Sequence, residues 1–330
     1  MKTLTTFKML ISIITLSVVA IAAYFYTQNP ERPLTQVSAP TSEATVLNAA
    51  NDLARVGTNF PPKIEKKSST FELAIKYSTT RDMRAFVEYA KQHPELGGGY
   101  YAAIGMGECL VVKDYIVQGK PTLNYDAKRS PEIYAKRQQA FESLKTLCQS
   151  FLPDEITQDA LAKTHKQSIE KNDIFSKIIS DQLQAAATAD ITQRLESMRV
   201  IKEKVMASKD PLLIDNFSSL LSEPVNQKFD TYWLDGKPYN GTSEETNIMQ
   251  YAWRLVPCSL GLVCDETNHY VSITCLNQDI CANSLSDLFR QNLERSGDKD
   301  GKQFQQVLQL QKRLTEIVQN GEFTAFKPKT

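Results

Sequence analysis

The chain has 330 residues, with 38 basic and 38 acidic side chains, so its formal charge is zero. That balance removes the usual argument for nucleic-acid binding, in which a basic stripe supplies most of the affinity, and it argues against a body held on anionic lipid by charge. The length allows one large domain or two intimate ones behind an N-terminal leader.

Taken in chain order, Met9 to Tyr26 is a single uncharged apolar run. It just reaches the length a membrane-spanning helix needs. Lys2 and Lys8 precede it and Arg32 behind it is offset by Glu31, which predicts a cytoplasmic N-terminus and an exported body. Tyr24, Phe25 and Tyr26 fit an aromatic belt at the far interface. Residues 1–26 therefore read as a signal anchor, giving a single-pass inner-membrane protein with a periplasmic body. The alternative is a signal peptide cleaved near Ala22, at Ala20-Ile21-Ala22, which releases a periplasmic or secreted protein. Residues 27–68 read as a mostly disordered tether, rich in Pro, Thr, Ser and Gln at first, with a short helix over 44–56 and a second spacer over 57–68.

The remainder, 69–330, predicts an all-α, multi-helix body, either globular or irregularly solenoid-like. Ser69-Thr-Phe-Glu72 is a capping box. Thr79 or Thr80 opens a helix with Met83, Phe86, Val87 and Ala90 on one face, closed by His93-Pro94. Ser130-Pro131-Glu132 starts another, with Arg137, Phe141, Leu144 and Cys148 near one face. Further starts stand at Asp190 (Ile191, Leu195, Met198 and Val205 inward), Thr242 and Ser284, and the last helix runs from about Lys302 to Asn320-Gly321. The exception is 229–239, where Asp235-Gly236 between Thr231–Leu234 and Lys237–Tyr239 predicts a small hairpin limited to an edge by Pro238. A sub-boundary falls near 223–241.

All six cysteines lie beyond the apolar run: Cys109, Cys148, Cys258, Cys264, Cys275 and Cys281. The last four form C-x5-C-x10-C-x5-C, with Gly261, and Asn277 in the second half, suited to the turns between partners. Disulfides, a four-thiolate zinc site and free packed thiols all compete. Zinc sites place ligands in closer pairs and an exported location favours oxidation, so disulfides lead. Three pairings of the four remain open, and Cys109 with Cys148 makes the natural third bridge.

The segment Trp253-Arg-Leu-Val-Pro-Cys258-Ser-Leu-Gly261-Leu-Val-Cys264, with the second C-x5-C after it, resembles a motif of uncharacterised exported bacterial proteins, and Gly97–Ala103 with Cys109 is similar to their upstream part. The resemblance implies an all-α body and nothing about chemistry.

Chemical motifs are scarce. Gly97-Gly98-Gly99 lacks the GK[ST] and the preceding strand of a phosphate loop, so close helix packing explains it better. Ser296–Gly301 lacks the first and twelfth ligands of a calcium loop. His93, His165 and His269 show no metal spacing and read as surface residues. Glu142-Ser143 is similar to the acid of wall-glycan-cleaving helical domains, but Glu142 reads as an exposed helix residue. No catalytic residue, cofactor or metal is therefore expected, and the motifs lean away from an enzyme.

The leading expectation is a membrane-tethered, disulfide-braced protein that binds an unknown protein or envelope partner, with Trp233 and Tyr239 as possible binding residues. The alternative is an envelope-acting hydrolase, such as a cell-wall glycan-cleaving enzyme. A deep cleft holding a buried carboxylate distinguishes the second from the first.

Overall fold

A computed structural model describes residues 70–117, 130–222, 232–239 and 243–327. The apolar run over 9–26, the tether with its short helix, Ser69 of the capping box and Thr242 lie outside the described residues. Contacts divide the chain into Met1–Lys67 and Ser68–Thr330; all the described residues belong to the second unit.

Local signals place most of the helices. Helix α1 (Thr70–Thr79) leads to α2 (Met83–Ala90), whose cap is Asp82, not Thr79 or Thr80. The Asp82 carboxylate accepts from Ala85 N at 3.1 Å, as a capping side chain should. Thr80 instead supports that cap, its Oγ1 accepting from Asp82 N. The predicted face Met83, Phe86, Val87 and Ala90 is buried. A 3-10 turn at Pro94–Leu96 ends on Gly97 at φ +81°, and α3 (Gly98–Val117) begins at once.

Ser130 caps α4 (Pro131–Cys148) as expected, accepting from Ile133 N. Next come α5 (Gln158–Glu170), α6 (Ile174–Ala187), α7 (Ile191–Ser208), α8 (Pro211–Asn216) and α9 (Ser218–Ser222). Asp190 caps α7, and the predicted face turns inward beyond the first turn, with Val205 buried and Met198 packed against the core. Ile191 is exposed, and Ile201, Lys202, Val205 and Met206 are buried. The first turn of α7 does not meet the core, so Ile191 has nothing to pack against.

Strands β1 (Tyr232–Leu234) and β2 (Lys237–Tyr239) form the hairpin, paired antiparallel with Tyr232 opposite Tyr239. Asp235 and Gly236 both take positive φ, 53° and 77°, the geometry a two-residue hairpin turn needs. The Asp235 carboxylate is gripped by Arg313 through two bonds of 2.7 and 2.8 Å. Helices α10 (Ser243–Ser259), α11 (His269–Gln278), α12 (Leu285–Ser296) and α13 (Lys302–Asn320) complete the body. The described body is thus helical apart from one hairpin.

Two helices organise the packing. Helix α3 lies against α1, α2, α4, α5 and α6; helix α10 lies against α8, α9, α12 and α13. Helix α4 packs on α11, far away in sequence, which a solenoid of successive neighbours does not do. Trp253, Tyr101 and Phe289 are completely buried, and Tyr251 stacks on Phe289.

Three disulfides brace this arrangement: Cys109–Cys148, Cys258–Cys264 and Cys275–Cys281. No cysteine is free, and the four C-terminal cysteines take the sequential pairing. Cys109 lies near the middle of α3 and ties that hub to the last residue of α4. Gly261 takes φ +107° between its two cysteines. In the second half Asn277 does not make the turn. Helix α11 continues to Gln278, and Asp279 adopts the left-handed conformation at φ 56°, which Asp tolerates better than most residues.

Asp210 shows how the core handles a carboxylate. It caps α8 through Leu213 N at 2.8 Å and accepts from Tyr101 Oη at 2.7 Å. Burial nevertheless pushes its pKa from 3.8 to about 6. A raised carboxylate pKa means that the native state holds the proton more tightly, so this group's contribution is most favourable at acid pH and falls as pH rises through this window. Asp210→Asn keeps an acceptor for the cap and removes the titration. Relative to the wild type, this variant should gain about 2 kcal/mol between pH 4 and pH 6. Urea unfolding at the two pH values checks this, and a constant difference would refute it.

Candidate active site

A cavity of about 460 Å³ opens between α1, α3, α4, α8, α10 and the segment that leads into α11. That size is within the range of ligand pockets, about 300–1,000 Å³. Its floor carries Glu108, on α3 beside the bridged Cys109. A fifth of the Glu108 side chain (20%) is accessible, while its Oε2 is enclosed.

Each neighbour of Glu108 comes from a different element. Tyr77 of α1 donates its hydroxyl to Glu108 Oε1. His269, the first residue of α11, places Nδ1 3.9 Å from Glu108 Oε2. That is beyond hydrogen-bond length, and both atoms are buried without a hydrogen-bond partner. Two desolvated polar atoms facing each other across such a gap are costly. Asp215 of α8 holds its Oδ1 3.8 Å from Nε of Arg254 on α10. The Arg254 guanidinium lies 4.1 Å from the Tyr270 ring centroid, a cation–π stack that fixes it in place. Asn268 orients the start of α11, accepting from Tyr270 N and donating to Val263 O.

Burial raises the Glu108 pKa, with the Asp215 charge adding to it; His269 and the Tyr77 hydrogen bond oppose the shift. Asp215 is raised by burial and pulled back by Arg254. Burial and the Glu108 charge push Tyr77 well above its ordinary value, so it remains a donor. Perturbed acids in a cleft are the usual mark of a functional site.

The raised pKa also affects stability. Glu108 binds its proton more tightly in the native state than in the unfolded chain, so its contribution worsens as pH climbs past the ordinary carboxylate range. Glu108→Gln should therefore raise the melting temperature relative to the wild type more at pH 8 than at pH 4. An equal or reversed difference would contradict the burial.

The sequence-predicted residues fall in different places. Glu142 and Ser143 stand at the cavity rim. Glu142 is half exposed (51%) and pairs with Lys145 and Gln138, as an exposed helix residue does. His269 is not a surface residue: α11 swings its N-terminus into the cavity wall. His93 and His165 are also partly buried, and burial lowers the His165 pKa. The hairpin alternation sends Tyr232 and Leu234 into the core and leaves Trp233 on the opposite face, half-buried. Tyr239 shares the face of Tyr232, lines a separate cavity of about 350 Å³ and lies 4.6 Å from Lys237 Nζ. Trp233 and Tyr239 therefore do not converge. Asp298 of the calcium-like segment caps α13 instead, accepting from Gln303 N and Phe304 N.

Sequence reasoning misses Glu108. One signal points to it, since it is the single charged residue between Glu95 and Lys113. An acid alone in an apolar helix is either paired or held neutral.

No family model, curated protein or solved structure matches this chain. Among the described residues, no helix is long and apolar enough to cross a membrane.

Proposed function

We propose that the protein is a membrane-tethered extracytoplasmic hydrolase acting on envelope material, with Glu108 as its proton donor. One observation carries this reading: a buried carboxyl at the floor of an open cavity, its Oε2 facing His269 Nδ1 with no hydrogen bond made by either. A general acid needs a raised pKa and access to substrate, and Glu108 combines both. The export reading rests on the apolar run at 9–26 and on cysteines that are all bridged. The tether over 27–68 would give the body reach from the membrane.

The test uses full-length protein in mild detergent and isolated envelope material. The wild type should release soluble fragments, and Glu108→Gln should lose this activity by on the order of 10²–10⁴-fold while remaining folded. Release unchanged in the variant would remove Glu108 from the chemistry. For location, the body should be degraded by protease added outside the cytoplasmic membrane and should carry no reactive thiol. A soluble cytoplasmic protein with six reduced thiols would end the export reading.

A further inference from the structure

The bond class can be read from the chemistry that the cavity carries, and it rests on the hydrolase reading above. We infer that the cleft hydrolyses a glycosidic bond of a glycan, with Glu108 as acid and Asp215 as base. Three features lead there.

The first is the pair of carboxyls in unequal settings. Glu108 is met by a hydroxyl donor and a histidine. Asp215 is met by a guanidinium whose charge is permanent. A permanent cation favours the ionised form of the carboxyl beside it, so the base role falls to Asp215 and the acid role to Glu108. Such a division of roles between two environments is how one site runs acid and base chemistry together.

The second is what the site lacks for other bonds. Attack by thiolate has no nucleophile, because every cysteine is in a disulfide. Two carboxyls working as one dyad must share a proton, and Asp215 lies against Arg254 instead. Glycoside hydrolysis needs only an acid and a base flanking the bond.

The third is the wall. Gln139 and Ser143 offer neutral donors and acceptors beside the charged Arg81 and Glu142, and such neutral groups suit the hydroxyl and acetamido groups of a sugar.

The step balances as an addition of water. Glu108 transfers its proton to the bridging oxygen as the bond from that oxygen to the anomeric carbon breaks. The Asp215 carboxylate takes a proton from water while the water oxygen bonds to the anomeric carbon. Glu108 is left as an anion, stabilised by the Tyr77 hydroxyl and by the positive end of α11 at His269. The two carboxyls then exchange protons with solvent, and the products are a reducing sugar and a free hydroxyl.

The probe is purified peptidoglycan sacculi, which contain both glycosidic and amide bonds. They are incubated with full-length wild type, and the soluble products are assayed for new reducing ends and separately for new amino groups. New reducing ends with no new amines are expected. In the wild type the rate should trace a bell-shaped pH profile, and Asp215→Asn should lose on the order of 10²–10⁴-fold together with the acidic limb. New amines without reducing ends would overturn the glycosidic assignment and leave the hydrolase reading standing. No product of either kind would take the hydrolase reading down with it. Reducing ends released equally by folded Asp215→Asn would overturn the role given to Asp215. The wild-type product analysis decides the bond class without reference to any variant.

Discussion

Gly98→Ala should leave little folded protein. A Cβ at this position would stand 1.9 Å from Ala90 O and 2.7 Å from His93 O. These are backbone atoms of the last residue of α2 and of the segment just after it, so no side-chain rotation relieves the clash. Helix α3 would have to move away from α2, and Glu108, Cys109 and Tyr101 would move with it. The cost exceeds the usual 1–3 kcal/mol of overpacking, and about 4 kcal/mol is expected. Gly107→Ala in the same helix is the control with the opposite sign. Its Cβ meets only Leu161 Cδ1, at 3.5 Å, so the helix should gain up to about 1 kcal/mol. Urea midpoints of the two variants check the contrast. If both shift in the same direction, close approach is not what the Gly97–Gly99 run provides.

Removing the Cys109–Cys148 bridge by a double change to alanine should cost about 4 kcal/mol, because it closes a loop with a sequence separation of 39. The Cys275–Cys281 bridge, with a separation of 6, should cost about 2 kcal/mol in the same entropy account. In a body of this size the first loss lowers the melting temperature by roughly 10 °C. Calorimetry on both pairs measures the ordering. The longer loop should also matter more to the cavity, since Cys109 adjoins Glu108 and Cys148 ends the helix that forms the rim. Equal losses would show that chain entropy does not control the effect.

Much of the fold is legible because it is written locally. Caps at Ser130, Asp190 and Ser284, the stop at Gly321 and the turn at Asp235-Gly236 depend on neighbours within a few residues, and all of them appear. The helical face of α2 is readable for the same reason. Errors arise where tertiary packing decides. Ile191 has the spacing of a core residue but lies on a turn with no partner. Asn277 suits a left-handed turn and so marks a false end for α11, whereas Asp279 takes that position. Helices α5, α6, α8 and α9 escape the sequence reading, although Asp210-Pro211 is a start signal of the same kind as Ser130-Pro131.

The site is almost illegible. Tyr77, Glu108, Asp215, Arg254 and His269 come from five helices, and no spacing between them has a short period. Each has an ordinary explanation on its own segment. Glu142-Ser143 attracts attention because it is a contiguous pair, and the chain places it at the rim. The solitary acid of α3 is the better lead, since its meaning depends only on the apolar residues around it.

Helix α1 is where the chain from the N-terminal side joins the described body, and it also supplies Tyr77, the hydroxyl that holds Glu108. A pull that peeled α1 away would strip the acid of its donor and lift Phe71 off Gly261, inside the Cys258–Cys264 loop.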